Sequence, residues 1–312
     1  DVVQGTAASF QTRGGIMATA MNAMGYDAYV PGNHEFDWGF GALAGFMDRM
    51  QAPPLAANLV VGPEAPAAFR RTLPYFIKEI DGVRVAVVGL TNPNIPNWTR
   101  GTEETGLTFL DSRRALEQTL PLVRREQPHV MILLVHQGLL RRDDVANQLN
   151  AIGRRFGEFD LMLGGHLHMV ATKTQIGKLT FGQAGAGAEG VLRVRLTFDT
   201  VKNAVTDKQV EFLPVDPDLP EAPDIYAQIA PDLARADEWL GTVLGHAKSD
   251  LVASLAMPGL CSVQQLLCAA IAENTGADAV LHGILTMKSV PAGDFRVADA
   301  WKLVPYENTA GV

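Results

Sequence analysis

Two short segments of this chain carry side chains suited to holding a metal ion. Gly32-Asn33-His34-Glu35-Phe36-Asp37 sets an amide beside an imidazole directly after a glycine. Far downstream, Gly164-Gly165-His166-Leu167-His168 places two imidazoles two residues apart after a glycine pair. A third candidate, His136, stands in Leu133-Leu134-Val135-His136-Gln137-Gly138, at the end of an apolar run. Nitrogen and oxygen donors delivered at the ends of separate strands are what an α/β sheet needs to hold a divalent cation at its mouth. Each of these residues also has an ordinary reading: Asn33 as a turn residue, Asp37 as a helix cap, the histidines as loop or strand-end residues. The spacing, not any single histidine, carries the metal reading.

The elements that must position these residues follow from periodicity. Residues 12–24 have helical spacing, with Ile16, Met17, Ala20, Met21 and Met24 on one face and Gly25 as a stop. Tyr26 to Val30 reads as a short strand into the Gly32 loop, a helix begins after Gly39, and Leu55 to Asn58 is another short strand. Asp81-Gly82 between Tyr75–Ile80 and Val83–Leu90 is a strong hairpin signal. Ser112 to Arg125 reads as a helix capped by Ser112, and Val130 to Val135 as a strand buried on both faces. Asp143 to Ile152 reads as helix, Leu161 to Leu163 as strand, and four more strands follow at about 170–176, 179–184, 191–198 and 203–212. Four prolines between Pro214 and Pro223 mark a boundary, then an amphipathic helix spans Ile225 to Leu240, with Pro231 as a kink or a start. Beyond it, a helix over Val263 to Thr275 precedes strands at Ala279 to His282 and Trp301 to Tyr306. Asn92 and Asn94 follow the Val83–Leu90 strand and Asn58 its own; for these and for Trp98 the structural reading leads over a place near the site.

Composition sets the limits. Among 312 residues, 47% are hydrophobic and 19% charged, enough for a sizeable buried core. A net charge of -8 argues against affinity for nucleic acid polymers, while a bound metal would still attract small anions. The two cysteines, Cys261 and Cys268, lie seven apart on one helix, too far to bridge, and read as free thiols. No run approaches the ~20 apolar residues of a membrane span.

The GNHEFD segment, the VHQG strand end and the GGHLH loop, in that order, resemble the calcineurin-like metallophosphoesterases. Within them they are most similar to the bifunctional 5′-nucleotidases and 2′,3′-cyclic-nucleotide phosphodiesterases. Thr275-Gly276-Ala277-Asp278 and Val304 to Thr309 resemble pieces of that family's C-terminal substrate domain. The resemblance implies an α/β (α+β) fold, a two-sheet β-sandwich flanked by helices. It implies a catalytic domain over residues 1–213, a linker with a helix over 214–250, and a partial substrate domain over 251–312. It also implies two divalent metal ions (Mn, Zn, Fe or Co), a small nucleotide or phosphate ester as substrate, and a periplasmic or extracellular location. Asp1, opening Asp1-Val2-Val3-Gln4-Gly5, would bridge the metals; Asn33, His136 and His166 would complete the second site, and His168 would reach the first. His34 would act on the substrate phosphate, with Asp37 fixing its tautomer.

Two departures bear on this reading. The family's Asp-x-His motif, which supplies two ligands of the first metal, does not occur in these 312 residues. A chain opening at Asp1 is read as lacking the strand that carries it. The family's Asn-Gly-Gly-x-Ile-Arg loop is replaced by His282-Gly283-Ile284-Leu285-Thr286-Met287, and the nearby Lys288 is no equivalent of the arginine fork. Two rival readings follow: a thiosulfohydrolase-type enzyme that cleaves sulfur–sulfur bonds on the same fold, and a non-catalytic binding module with an incomplete metal site.

Overall fold

The computed structural model describes residues 1–256 and 258–304. In chain order the helices α1 (Ala7–Thr12), α2 (Gly15–Met24) and α3 (Gly39–Arg49) come first, then strand β1 (Leu59–Val61). β2 (Tyr75–Ile80), β3 (Val83–Leu90), the short α4 (Ile95–Trp98), β4 (Leu107–Phe109), α5 (Ser112–Arg125), β5 (Val130–Val135), α6 (Leu149–Arg155) and β6 (Leu161–Leu163) follow. Next are β7 (Val170–Ile176), β8 (Leu179–Ala184), β9 (Gly190–Asp199), β10 (Ala204–Pro214), α7 (Pro223–Leu240), β11 (Val243–Ala247), α8 (Ser262–Thr275), β12 (Gly293–Arg296) and α9 (Val297–Leu303).

The chain divides into two compact units, the first made of Asp1–Val3 with Arg13–Tyr226, the second of Gln4–Thr12 with Ala227 onward. A six-stranded mixed sheet in the order β2-β3-β5-β6-β8-β7 organises the first unit. Its middle pairs, β3 with β5, β5 with β6 and β6 with β8, are parallel, so four strands end on one edge. Covered on both faces, β5 needs apolar residues throughout, and Val-Met-Ile-Leu-Leu-Val supplies them. At the sheet's other end, Asp81 and Gly82 both adopt positive φ (49° and 78°), the backbone that a two-residue hairpin requires. Helices α5 and α6 cover one core, where Leu116, Leu120, Val123 and Ile152 meet Val88, Leu133 and Met162. A second core gathers Val3, Met21, Phe36, Phe46, Met47 and Phe69 around α2 and α3. The β9–β10 hairpin lies against β8, where a methyl added at Gly182 would press on Leu192 and Val210. The mixed α/β class expected from the sequence holds.

The second unit has its own small core of Val263, Leu267, Val290 and Leu303. Phe10 of α1 stacks on Trp239 at 5.8 Å between centroids, and Trp301 closes that group at 5.2 Å from Phe10.

Several local expectations are corrected. Tyr26–Val30 and Leu55–Asn58 form only single bridges, Tyr29 to Pro54 and Leu55 to Leu73, because neither segment lies along a neighbour for more than one residue. The cap of α5 is Asp111, whose carboxylate accepts the N–H groups of Arg113 and Arg114 at 3.1 and 3.2 Å; Ser112 is the first helical residue. Helix α6 starts only at Leu149, since both Asp143 carboxylate oxygens are spent on the N–H groups of Asn150 and Ala151 at its start. Pro231 sits inside α7, not at its start. Ala279–His282 forms no strand, and Trp301 belongs to α9, a helix whose Asp299 carboxylate reaches back to accept the Arg296 N–H at 2.8 Å. The rest of the expected Trp301–Tyr306 strand, and most of the Val304–Thr309 segment, lie outside the described residues.

Candidate metal centre

Crevices at the carboxyl ends of parallel strands are where open α/β sheets collect ligands. His136 is the first residue past β5, and its N–H still donates to the Leu90 carbonyl of β3 at 2.8 Å, so the ladder itself fixes its height. His166 lies three residues past β6, on a loop clamped by the Gly165 N–H donating to the Gln137 carbonyl at 3.1 Å. The approach is close: a methyl at Gly164 would fall 2.5 Å from the Phe181 ring and 2.9 Å from the Gln137 carbonyl oxygen. His166 itself holds φ 68°, in the left-handed region where non-glycine residues cost energy and cluster at functional sites.

The remaining donors arrive on the Gly32 loop. Residues His34–Phe36 make one 3₁₀ turn, in which side chains three apart eclipse, so His34 and Asp37 share a face. Nδ1 of His34 lies 2.8 Å from Asp37 Oδ2. Phe36 anchors the turn in the core through edge contacts to Phe40 and Phe109. Asn33 is thereby held at the turn's start, with its Oδ1 3.2 Å from His136 Nε2 and 3.0 Å from His166 Nδ1. The Asp1 carboxylate completes the group: Oδ2 lies 2.9 Å from His136 Nε2, and Oδ1 accepts the His34 N–H at 2.9 Å.

Asp1, His136 and His166 thus present ligand atoms all within 4.8 Å of one another, and the Asn33 oxygen joins them. The donor chemistry fits a divalent cation of intermediate softness. Burial pushes the His136 imidazole well below its ordinary range, helped by His34. Burial, with His136 and His34 nearby, lowers His166 to about 4. Both rings therefore keep lone pairs for a metal at neutral pH. Of the seven residues picked out in the sequence, four converge here and His34 and Asp37 pair beside them. His168 is exposed and stands outside the three-residue cluster.

Sequence reasoning missed Glu35. Only 1% exposed, it accepts the N–H groups of Val2 and Val3 at 2.6 and 3.1 Å through Oε1. Its Oε2 takes the Gly32 N–H and lies 3.0 Å from the Asp1 amino group. Burial alone would raise its pKa; the Val2 and Gly32 N–H groups and His136 act against this and favour the carboxylate. An acid inside a run of ligand candidates was the available signal. Asn92 is likewise structural and close, its Nδ2 donating to the carbonyls of His136 and Ala146 at 3.2 and 3.1 Å. Asn58 in turn exchanges hydrogen bonds with the Thr91 backbone.

Gly32 has no room for a side chain: an added methyl would overlap Asp1 Oδ1 and lie 2.6 Å from Asp1 N and His136 Cε1. Gly32→Ala is therefore expected to lower metal per chain, measured by mass spectrometry after equilibration with Mn²⁺, with the far-ultraviolet dichroism preserved. Unchanged metal content would remove this loop from the site.

No protein-family model matches the chain. Curated proteins do: it is 27% identical over 245 residues to the trifunctional nucleotide phosphoesterase YfkN of Bacillus subtilis, covering 67% of this chain and 16% of that protein. It is 26% identical over 297 residues to the 5′-nucleotidase of Bos taurus, covering 88% and 50%. In fold, it matches a 5′-nucleotidase precursor from Thermus thermophilus with a TM-score of 0.75 at 22% identity, over 97% of this chain and 62% of the other. The chain spans half or less of the length of those two curated relatives. The fold is thus that of the calcineurin-like phosphoesterases. The chain's curated relatives include 5′-nucleotidases and a nucleotide phosphoesterase, the family that the three motifs resemble, and its structural neighbours also include a sulfate thiohydrolase from Thermus thermophilus, with a TM-score of 0.71 at 22% identity over 98% of this chain and 55% of the other.

Proposed function

We propose that this chain is the catalytic part of a hydrolase that cleaves phosphate esters of nucleotides, 5′-nucleotides or 2′,3′-cyclic nucleotides, at a dinuclear divalent metal centre. The observation that carries this reading is the convergence of Asp1, Asn33, His136 and His166 beside the His34–Asp37 pair. Asp1, Asn33, His136 and His166 would hold one ion, and Asp1 with His168 would contribute to a second. Bound divalent ions would neutralise phosphoryl charge and lower the pKa of a water nucleophile. Asp37 holds Nδ1 of His34, so the ring exchanges protons with the leaving group through Nε2. Asn92 holds the strand end at His136, and Glu35 holds the Val2 backbone to the Gly32 loop. The first unit is then the catalytic domain and the second a part of a substrate-binding domain. A periplasmic or extracellular setting belongs to the same proposal; among the described residues no helix is long and apolar enough to cross a membrane.

Dialysis against a chelator is expected to abolish hydrolysis of nucleoside monophosphates, and added Mn²⁺ to restore it. Hydrolysis that persists after chelation, with metal absent by mass spectrometry, would overturn the metal reading. A panel of 5′-nucleotides, 2′,3′-cyclic nucleotides and thiosulfonates read alongside assigns the bond cleaved. Turnover of the thiosulfonate alone would replace this reading by sulfur–sulfur hydrolysis.

A further inference from the structure

Trp98 lies at the end of α4, on the same edge as the metal ligands, and its indole is 5.4 Å from the His166 ring between centroids, tilted by 31°. It is 47% exposed, so the contact with His166 leaves much of the indole in solvent. His166 occupies the left-handed region at φ 68° on a loop with no ladder of its own, so backbone pairing does not orient its ring. Among the described residues its ring meets Asn33 Oδ1 at 3.0 Å on Nδ1, the His136 ring at 5.3 Å in an edge arrangement, and the tilted Trp98 ring at 5.4 Å. The helix that carries Trp98 is itself tied to the site. Asn92 Oδ1 accepts the Asn94 N–H at 3.0 Å just before α4, while Asn92 Nδ2 holds the His136 carbonyl. One residue thus holds the His136 carbonyl and the start of the helix whose indole lies beside His166.

We infer that Trp98 is a positioning residue of the metal centre, an aromatic backstop that holds the His166 imidazole in its ligating orientation. This rests on the metal reading proposed above. Groups that orient a ligating histidine without touching the metal affect affinity by about 10–100-fold when removed. An indole face restrains ring rotation through stacking, and a smaller aromatic ring at the same place keeps part of that restraint.

The test is calorimetric titration of the protein with Mn²⁺ alone, on wild type, Trp98→Ala and Trp98→Phe, with melting of each metal-free protein. Trp98→Ala is expected to weaken Mn²⁺ binding by about 10-fold, and Trp98→Phe to recover a large part of it, with little change in metal-free melting since the side chain is half exposed. A residue of purely structural importance would shift melting and leave affinity where it was. Tryptophan emission provides a second readout: paramagnetic Mn²⁺ should quench wild type, and Trp98→Phe should lose that component, leaving Trp38, Trp239 and Trp301. If wild type binds no Mn²⁺, the metal reading fails. If wild type binds and Trp98→Ala binds equally well, the metal reading stands and this inference falls.

Discussion

Replacing His34 by alanine is expected to lower turnover of a nucleoside monophosphate by at least ~100-fold, the usual scale for a lost general acid or base, while metal content stays at the wild-type level. The geometry separates the two quantities. The link between His34 and the ligand Asp1 runs through the His34 backbone N–H, which alanine keeps. What alanine removes is the imidazole held by Asp37 at 2.8 Å. Metal content by mass spectrometry and kcat on the same preparation check both halves. A loss of metal that tracks the loss of activity would make His34 a ligand and overturn its assignment.

The parts of the fold that can be read from sequence are those in which one local rule governs. Asp81-Gly82 specifies its hairpin through positive φ at both positions, and β5 announces double-sided burial with six apolar residues in a row. The four strands after Gly165 are equally plain, each bounded by turn residues. Where tertiary context decides, local pattern misleads. Tyr26–Val30 has strand-like residues, yet Tyr29 alone of them forms a bridge, so a single pairing stands where a strand is expected. Asp143 sits in a helical pattern, but its carboxylate does better as acceptor for the first N–H groups of α6 than in a helix interior. The site divides in the same way. His136 and His166 are legible because strands β5 and β6 end just before them, and parallel neighbours deliver their ends together. Nothing in the sequence says that Glu35 reaches back to residues 2 and 3, or that Trp98 lies on His166, since both contacts join segments more than thirty positions apart.

Glu35 gives the second large effect, and it is one of architecture before chemistry. Glu35→Ala would leave the N–H groups of Val2, Val3 and Gly32 without their acceptor in a largely buried site. An unsatisfied buried donor costs about 1–3 kcal/mol; the Val3 and Gly32 bonds are buried and the Val2 bond partly so, which puts the loss at roughly 2 kcal/mol or more. That is a large fraction of a stability on the order of 5–15 kcal/mol. The segment released is the one that carries Asp1, whose carboxylate must sit between His136 and the Gly32 loop for the ligand group to exist. Thermal melting is therefore expected to fall by several degrees, and metal content with it. Glu35→Gln keeps the shape and one acceptor oxygen but turns an N–H₂ toward donors, so its melting point should lie between those of alanine and wild type. Should Glu35→Ala melt with the wild type and retain its metal, the Asp1–Val3 segment is held by other contacts, and the buried carboxylate is not what assembles the site.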